Sequence, residues 1–259
     1  MILKDPMQET RKRDHIEMAT NAQMEKGKVD HRFYYEPMLS AHPDSNDTSL
    51  QTHFLGKTLQ APFWISSMTG GVGEARIINQ NLARLASEFS LGMGLGSCRV
   101  LLEDDRYFED FNLRPVLGHD LPFFANLGIA QVEKLVINNN VSQISDLVER
   151  LQSDGLIVHI NPLQEWYQPE GDRLKFSPLE TLTRFLSSFK KPVLVKEVGQ
   201  GMGPLSLKAL LELPLAGIEL AGFGGTNFSK LEILRNKTEN RQGPSLSKVG
   251  HTTLEMFRC

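Results

Sequence analysis

The sequence has little of what several protein classes require. It contains 2 cysteines, Cys98 and Cys259, which provide neither a disulfide framework nor a metal-binding CxxC pair. No apolar run approaches the roughly 18 residues that a membrane span needs, and the charged residues 1–14 lack the apolar core of a signal peptide. The net charge of −3 offers no broad basic surface. These absences predict a cytoplasmic globular protein that binds neither nucleic acid nor membrane.

What the sequence does contain is a repeated alternation of apolar runs and amphipathic stretches. Runs rich in Val, Ile, Leu and Phe are typical of buried strands, and the stretches between them have the period of helices. This order predicts βαβ units and a parallel sheet. Strands are expected at residues 61–67, 91–96, 123–127, 156–160, 192–197 and 217–221. Helices are expected at residues 75–89, 131–138, 142–153, 178–189, 206–213 and 229–235.

A polar or glycine-rich cluster follows each predicted strand. In a (β/α)₈ barrel the C-terminal ends of the strands share one face, which carries the active site, whereas an open doubly wound sheet concentrates chemistry at one switch point. Polar or glycine-rich clusters at the end of every predicted strand therefore favour an α/β fold of the (β/α)₈ TIM type, with about six βα units in residues 61–259. Residues 1–60 do not fit the repeat. They predict an N-terminal extension packing on the barrel, with a helix at 11–24 and a β-like patch at 52–59.

Cationic side chains at these positions predict an anionic ligand. Lys196 ends the apolar run PVLVK, and a lysine is costly to desolvate without a partner. An ion pair with Glu197 or Glu219 is the alternative, but adjacent strand residues such as Lys196 and Glu197 point to opposite faces. The planar guanidinium of Arg99 suits a diphosphate or a carboxylate. The basic cluster RKRDH (11–15) stands at a predicted helix start, where the helix dipole disfavours cations.

The stretch LIVHINPLQE (156–165) passes without a spacer from a buried strand into amides and a carboxylate. Buried polar groups are costly unless they are paired, so a partner is expected there. Glu165 beside Asn161 and Gln164 is a candidate ligand for Mg²⁺, which takes one or two protein carboxylates together with phosphate oxygens and water. The glycine clusters MTGG and GFGGT are neither Walker loops nor GxGxxG motifs, and singly they indicate tight turns.

Seven motifs carry a resemblance to a known family. RKRDHI, SSMTGG, GSCR, ANLG, HINPLQE, VKEVGQG and AGFGGTN, in this order, resemble the type 2 (FMN-dependent) isopentenyl-diphosphate delta-isomerases, and HINPLQE together with VKEVGQG is specific. The resemblance extends from about Arg11 to Glu232. It implies a barrel that binds FMN at its mouth and works with reduced flavin, NADPH and Mg²⁺. The implied reaction, in isoprenoid biosynthesis, is a 1,3-allylic proton shift between isopentenyl and dimethylallyl diphosphate, moved by the flavin itself.

The resemblance also implies roles for individual residues. Those expected at the reacting part of the substrate are His159, Asn161 and Gln164. Those expected to hold the substrate are Arg11, Lys12, Ser97, Arg99 and Gln164. Those expected to line the FMN are Ser67, Met68, Thr69, Ser97, Asn126, Lys196 and Thr226. Glu165 is expected to bind Mg²⁺.

The sequence departs from the family pattern in two places. Cys98 stands where many relatives have glutamine, and we assign it no role. The family barrel has two more βα units, so the chain is expected to be a C-terminally truncated member whose full-length form is a homo-oligomer. Two alternatives remain open: another FMN-dependent barrel oxidoreductase, such as a 2-hydroxy-acid oxidase, or an inactive fragment. A 2-hydroxy-acid oxidase needs a histidine base and an arginine in its late strands, and the sequence supplies neither.

Overall fold

A computed structural model of the chain describes residues 8–31, 34–39, 41–42, 44, 48–67, 69–71, 73–235 and 246–259. The chain divides into two compact units, Met1–Asp47 and Thr48–Cys259. Within the described residues, every helix is too short or too polar to cross a membrane.

Helix α1 (Gln8–Met18) carries the basic cluster of the first unit, and a single 3₁₀ turn follows at Lys26–Lys28. The helix predicted at 11–24 is confirmed as far as Met18 and wrong beyond it. Because the helix is already formed at Gln8, Arg11 is at the end of its first turn and Lys12 is at the start of the second, where the dipole effect fades. Both side chains are exposed. The expected conflict at the helix start is therefore weaker than predicted.

The second unit begins with a hairpin of β1 (Thr52–Phe54) and β2 (Lys57–Leu59), which pair antiparallel. Leu55 (φ 51°) and Gly56 (φ 75°) connect them, and a tight type I′ turn requires positive φ at both central residues. The β-like patch predicted at 52–59 is confirmed.

A parallel sheet of six strands forms the centre of this unit, and its strands are adjacent in chain order. They are β3 (Trp64–Ile65), β4 (Gly92–Gly94), β5 (Phe123–Gly128), β6 (Gly155–Ile160), β7 (Val193–Glu197) and β8 (Gly217–Glu219). The prediction of an α/β fold with six parallel strands is confirmed. The central strands β5, β6 and β7 are buried along most of their length, as both faces of a parallel sheet are covered.

Helices cover the sheet in the intervals between strands. They are α2 (Ala75–Phe89), α3 (Phe108–Phe111), α4 (Arg114–Leu117), α5 (Ile129–Ile137), α6 (Ser142–Arg150), α7 (Pro162–Tyr167), α8 (Pro178–Ser188), α9 (Pro204–Leu211), α10 (Phe228–Arg235) and α11 (Thr253–Phe257). All six predicted helices are confirmed, with ends that differ by three residues or fewer. The short helices α3, α4, α7 and α11 were not predicted. Each is too brief to show a helical period.

A charged network fixes the end of the sheet where β6 begins. The carboxylate of Asp154 accepts hydrogen bonds from Lys57 Nζ (2.7 Å), Arg114 (2.8 Å) and the backbone N–H of Phe123 (2.8 Å). Burial alone would raise the pKa of Asp154, but these hydrogen bonds and the charge of Arg114 lower it overall. The network ties the hairpin and α4 to the sheet, at the end opposite the predicted site.

The sheet is strongly curved. Ser66, directly after β3, donates a 2.7 Å hydrogen bond from Oγ to Oε2 of Glu219, the last residue of β8. Ser66 follows the first strand of the sheet and Glu219 ends the last one, so the curvature brings the two edges of the sheet into contact at this point. The arrangement is a half-barrel whose strand ends converge on one face.

Candidate active site

A cavity of about 300 Å³ lies beyond the C-terminal ends of β3, β4, β5 and β6, at the lower end of the range for ligand pockets. Six residues predicted for the site line it, namely Ser97, Arg99, His159, Asn161, Gln164 and Glu165. The glycines of the MTGG cluster, Gly70 and Gly71, form another part of the wall. The structure therefore brings the GSCR, HINPLQE and MTGG clusters to one place.

The end of β6 supplies the amides and the carboxylate, because α7 starts immediately after Asn161. Asn161 Nδ2 donates to Gln164 Oε1 (3.1 Å) and to Glu165 Oε1 (3.0 Å). The second oxygen of Glu165, Oε2, accepts from the backbone N–H of Asp172 (2.8 Å). Glu165 is 5% exposed. Within the described residues the buried Oδ1 of Asn161 has no hydrogen-bond partner, which leaves an oxygen for a ligand.

His159 is held in one tautomer by its neighbour Asn126. Asn126 Nδ2 donates to the carbonyl of Leu95 (2.9 Å), so its Oδ1 faces His159 Nδ1 at 2.9 Å and must accept from it. The ring proton is therefore on Nδ1, and Nε2 keeps its lone pair. Burial lowers the pKa of His159 from 6.5 to about 3, and the charges of Lys196 and Arg99 add to the shift. His159 is thus a neutral imidazole.

Lys196 is a buried cation that forms no salt bridge with a carboxylate of the described residues. It is 7% exposed, and its Nζ donates to the backbone carbonyl of Glu197 at 2.9 Å. The carboxylate of Glu197 instead accepts from the N–H groups of Gln200 (2.5 Å) and Gly201 (2.9 Å), so the two side chains do not pair. Burial lowers the pKa of Lys196, while the charges of Glu219 and Glu197 oppose the shift. An anionic ligand would stabilise the charged form.

The remaining residues predicted to line a flavin lie at the ends of β3 and β8. Ser67 Oγ is buried and has no hydrogen-bond partner within the described residues. The loops are closely packed: a Cβ on Gly96 would stand 2.3 Å from the carbonyl oxygen of Thr69, and one on Gly199 would stand 2.1 Å from that of Thr226.

Eight of the fourteen predicted site residues are not among those that line this cavity, and five of them belong to the described part of the second unit, namely Ser67, Thr69, Asn126, Lys196 and Thr226. Met68 lies outside the described residues. Arg11 and Lys12 belong to the first compact unit, on α1.

Three cavity residues were missed by the sequence analysis, namely Val100, Gln131 and Gln168. Gln131 is in the first turn of α5, three residues after the end of β5, and that position behind the ANLG cluster was the available signal. Cys98, to which no role was assigned, is buried in the core, and burial raises its pKa to about 12. It is therefore a neutral thiol.

The described residues contain no group of three or more His, Cys, Asp and Glu side chains that could hold a metal ion. A cation here would need ligands from a bound molecule in addition to Glu165. A second cavity, of about 560 Å³, lies between α7, α8 and α9, and its wall is mostly apolar and contains no arginine or lysine among the described residues. The smaller cavity is the better match for an anion.

Comparison with known proteins decides the family. The chain is 35% identical over 254 residues to the isopentenyl-diphosphate delta-isomerase of Rickettsia typhi (strain ATCC VR-144 / Wilmington), which covers 96% of this chain and 72% of that protein. The chain belongs to the isopentenyl-diphosphate delta-isomerase family. It is also 39% identical over 228 residues to the enzyme of that name from Pelodictyon phaeoclathratiforme (strain DSM 5477 / BU-1), covering 87% of this chain. No protein-family model matches.

The chain spans 63% of the length of this second isopentenyl-diphosphate delta-isomerase. Among solved structures, a mandelate oxidase mutant with the monooxide FMN adduct matches 74% of this chain and 58% of its own, at 12% identity and a TM-score of 0.45. A likeness this low supports no argument about the function of this family member.

Proposed function

We propose that the chain contributes the active site of an isomerase that interconverts isopentenyl diphosphate and dimethylallyl diphosphate in isoprenoid biosynthesis. The observation that carries the proposal is the cavity beyond β3–β6, which is lined by a guanidinium, a neutral imidazole, four amides and a single buried carboxylate among the described residues. A diphosphate needs cations and hydrogen-bond donors, and a bridging Mg²⁺ needs a carboxylate. Membership of the isopentenyl-diphosphate delta-isomerase family supplies the identity of the diphosphate.

The residues fit FMN as the cofactor. Ser67 Oγ is a buried hydroxyl without a partner in the described residues, and Lys196 is a buried ammonium with a single backbone hydrogen bond. Both would gain a partner from a flavin at the strand ends, together with Asn126, Thr69 and Thr226. Reduced FMN, kept reduced by NADPH, would supply the proton transfer when it is bound. The residues of the chain then bind, orient and exclude water.

The substrate diphosphate would lie against Arg99 and Ser97, with Arg11 and Lys12 as further cationic contacts. His159 would contribute the lone pair of Nε2, so it would accept a hydrogen bond from a ligand N–H or O–H group. Asn161 and Gln164 would fix the orientation of the reacting part of the substrate.

Glu165 is the proposed protein ligand of Mg²⁺. Its carboxylate is buried and its orientation is set by hydrogen bonds to both oxygens. The other ligands would be diphosphate oxygens and water, as is usual for Mg²⁺. Asn161 Oδ1, which lacks a partner in the described residues, adds a second hard oxygen beside it.

The test is an assay of the purified chain with NADPH, Mg²⁺ and labelled isopentenyl diphosphate at saturating FMN, because the 259-residue chain is expected to bind the flavin weakly. We expect formation of dimethylallyl diphosphate, which stops when EDTA removes the metal or when the flavin is omitted. Flavin binding without isomerisation would favour another FMN-dependent enzyme. Absence of both would favour an inactive fragment.

A further inference from the structure

The segment of residues 168–177, here called the strap, joins the end of α7 to the start of α8 and passes beside Glu165. It is in close contact with α7: a Cβ on Gly171 would stand 1.9 Å from the carbonyl oxygen of Glu165. The backbone N–H of Asp172 donates to Glu165 Oε2 at 2.8 Å. The position of the strap therefore decides whether the carboxylate keeps this hydrogen bond.

Two buried side chains of α5 hold the strap. Near its C-terminal end, the carboxylate of Glu133, 5% exposed, accepts from the backbone N–H groups of Lys175 (3.0 Å) and Phe176 (2.8 Å). In the middle, Gln131 Nε2 donates to Asp172 Oδ2 at 3.0 Å. Gln131 is 8% exposed and lines the same cavity as Glu165. Glu133 thus fixes the distant part of the strap, and Gln131 fixes the residue that touches Glu165.

Other residues of the strap have contacts of their own, since the Arg173 guanidinium lies 4.5 Å from the centre of the Trp166 ring and Glu170 pairs with Arg235, but the Asp172 carboxylate depends on Gln131. Asp172 is exposed, and Gln131 is the only side chain among them that hydrogen-bonds its carboxylate. On the other side of the cavity Asn161 Nδ2 donates to Glu165 Oε1 at 3.0 Å. The carboxylate is therefore held from two directions, and each of its oxygens keeps a further lone pair for a ligand.

We propose that Gln131 is a positioning residue for Glu165, acting through Asp172, and that it sets the affinity of the site for a divalent cation. The proposal deepens the proposed function, because it rests on Glu165 as the metal ligand. Carboxylates that bind a metal are commonly oriented by such outer hydrogen bonds, and loss of one weakens metal binding by roughly 10–100-fold. Gln131 is therefore not itself a ligand of the proposed metal ion and acts on Glu165 only through Asp172.

The test uses Gln131→Leu, which keeps the volume and removes the amide. Mg²⁺ is titrated calorimetrically into the chain at saturating FMN with inorganic diphosphate present, and we expect affinity about 10–100-fold weaker than in the unmodified chain, with unchanged flavin absorbance. Asp172→Ala should have the same effect, and the double variant should be no worse than either single one, because both remove one interaction. Asp172→Asn keeps an acceptor and should retain near-normal affinity. Gln143→Leu, on the exposed face of α6, is the matched control.

A second measurement keeps the outcomes distinguishable. Hydrogen exchange of the Asp172 amide should be about tenfold faster in Gln131→Leu and in Asp172→Ala. Each variant removes the hydrogen bond between the two side chains, so the hydrogen bond from the Asp172 N–H to Glu165 breaks more often. Faster exchange in a chain that binds no Mg²⁺ at all would refute the metal role of Glu165 while supporting the positioning role of Gln131. Unchanged exchange, or additive effects in the double variant, would overturn the proposal. If Gln131→Leu does not fold, the exposed Asp172 variants decide alone.

Discussion

Glu165→Gln should separate metal binding from folding, because the surrounding hydrogen bonds can adapt to an amide. Oε1 of Glu165 accepts from Asn161 Nδ2 at 3.0 Å, and Oε2 accepts from the Asp172 N–H at 2.8 Å. A carboxamide keeps one acceptor and replaces the other with a donor. An NH₂ group facing the Asp172 N–H would oppose two donors, at a cost of about 1–3 kcal/mol. An NH₂ group facing Asn161 avoids this cost when the Asn161 amide reverses and accepts with Oδ1, and the Gln164 amide, which now accepts from Asn161 Nδ2 at 3.1 Å, reverses with it and donates instead.

Glu165→Gln should therefore change the free energy of unfolding little and the free energy of Mg²⁺ binding much more. The unfolding free energy should change by less than about 1 kcal/mol, because one hydrogen bond is exchanged for another. The loss of a unit charge about 4 Å from a cation is worth about 4 kcal/mol at an effective dielectric constant of about 20. Even with water replacing part of that interaction, we expect Mg²⁺ affinity to fall by at least about 100-fold.

Three titrations on the same variant check this prediction. Urea unfolding gives stability, quenching of FMN fluorescence gives flavin affinity, and calorimetry gives Mg²⁺ affinity in the presence of isopentenyl diphosphate. Glu88→Gln, an exposed carboxylate on α2, is the matched control. Parallel loss of flavin and metal binding, or a destabilisation above about 2 kcal/mol, would mean that Glu165 has a structural role.

Three further predictions follow from other parts of the chain. Arg11→Ala and Lys12→Ala should each raise KM for isopentenyl diphosphate about tenfold or more, since a charged hydrogen bond of about 1.5–3 kcal/mol is lost; an unchanged KM would make the cluster an ordinary exposed helix face. Asp154→Ala should lower the unfolding free energy by about 2–4 kcal/mol, because it leaves the buried Arg114 without its carboxylate. In the unmodified chain the pKa of folded Asp154 is lowered, so the stability that its carboxylate contributes is present above the ordinary pKa of 3.8 and is lost as the pH falls below it. Acid unfolding of the unmodified chain and of Asp154→Ala can check this. Because β3 and β8 are the edge strands of the sheet, the 259-residue chain should bind FMN weakly and self-associate. When two βα units of a relative are appended, size-exclusion chromatography at the flavin absorbance should show a single flavin-loaded species. A monodisperse, flavin-loaded chain without the added units would contradict this prediction.

Local sequence signals were sufficient to predict the parallel sheet. Apolar runs such as residues 156–160 form its buried strands, and they alternate along the chain with long amphipathic helices. The site at the strand ends followed from the same reasoning, because strand C-termini share one face. The position of Gln131 behind the ANLG cluster was a signal for the site, but its burial could not be predicted, as a glutamine in the first turn of a helix usually faces solvent. Its burial comes from the strap, whose course depends on contacts between residues 41 positions apart. The C-terminal end of α1 was predicted too late, because Ala22, Gln23 and Met24 favour a helix by intrinsic propensity, whereas the structure continues after Met18 with turns.

The hydrogen bond from Ser66 to Glu219 has a consequence for the order of folding. It joins residues 153 positions apart, and it can form only when the last strand of the sheet is in place. Closing so long a loop costs entropy before any contact compensates for it, and contacts of this kind slow folding. During synthesis β3 to β7 are made before β8, so the contact between Ser66 and Glu219 forms only after the strands between them have been made. We therefore expect the cavity residues to acquire their final spacing late, after the central strands β5 and β6 have already paired.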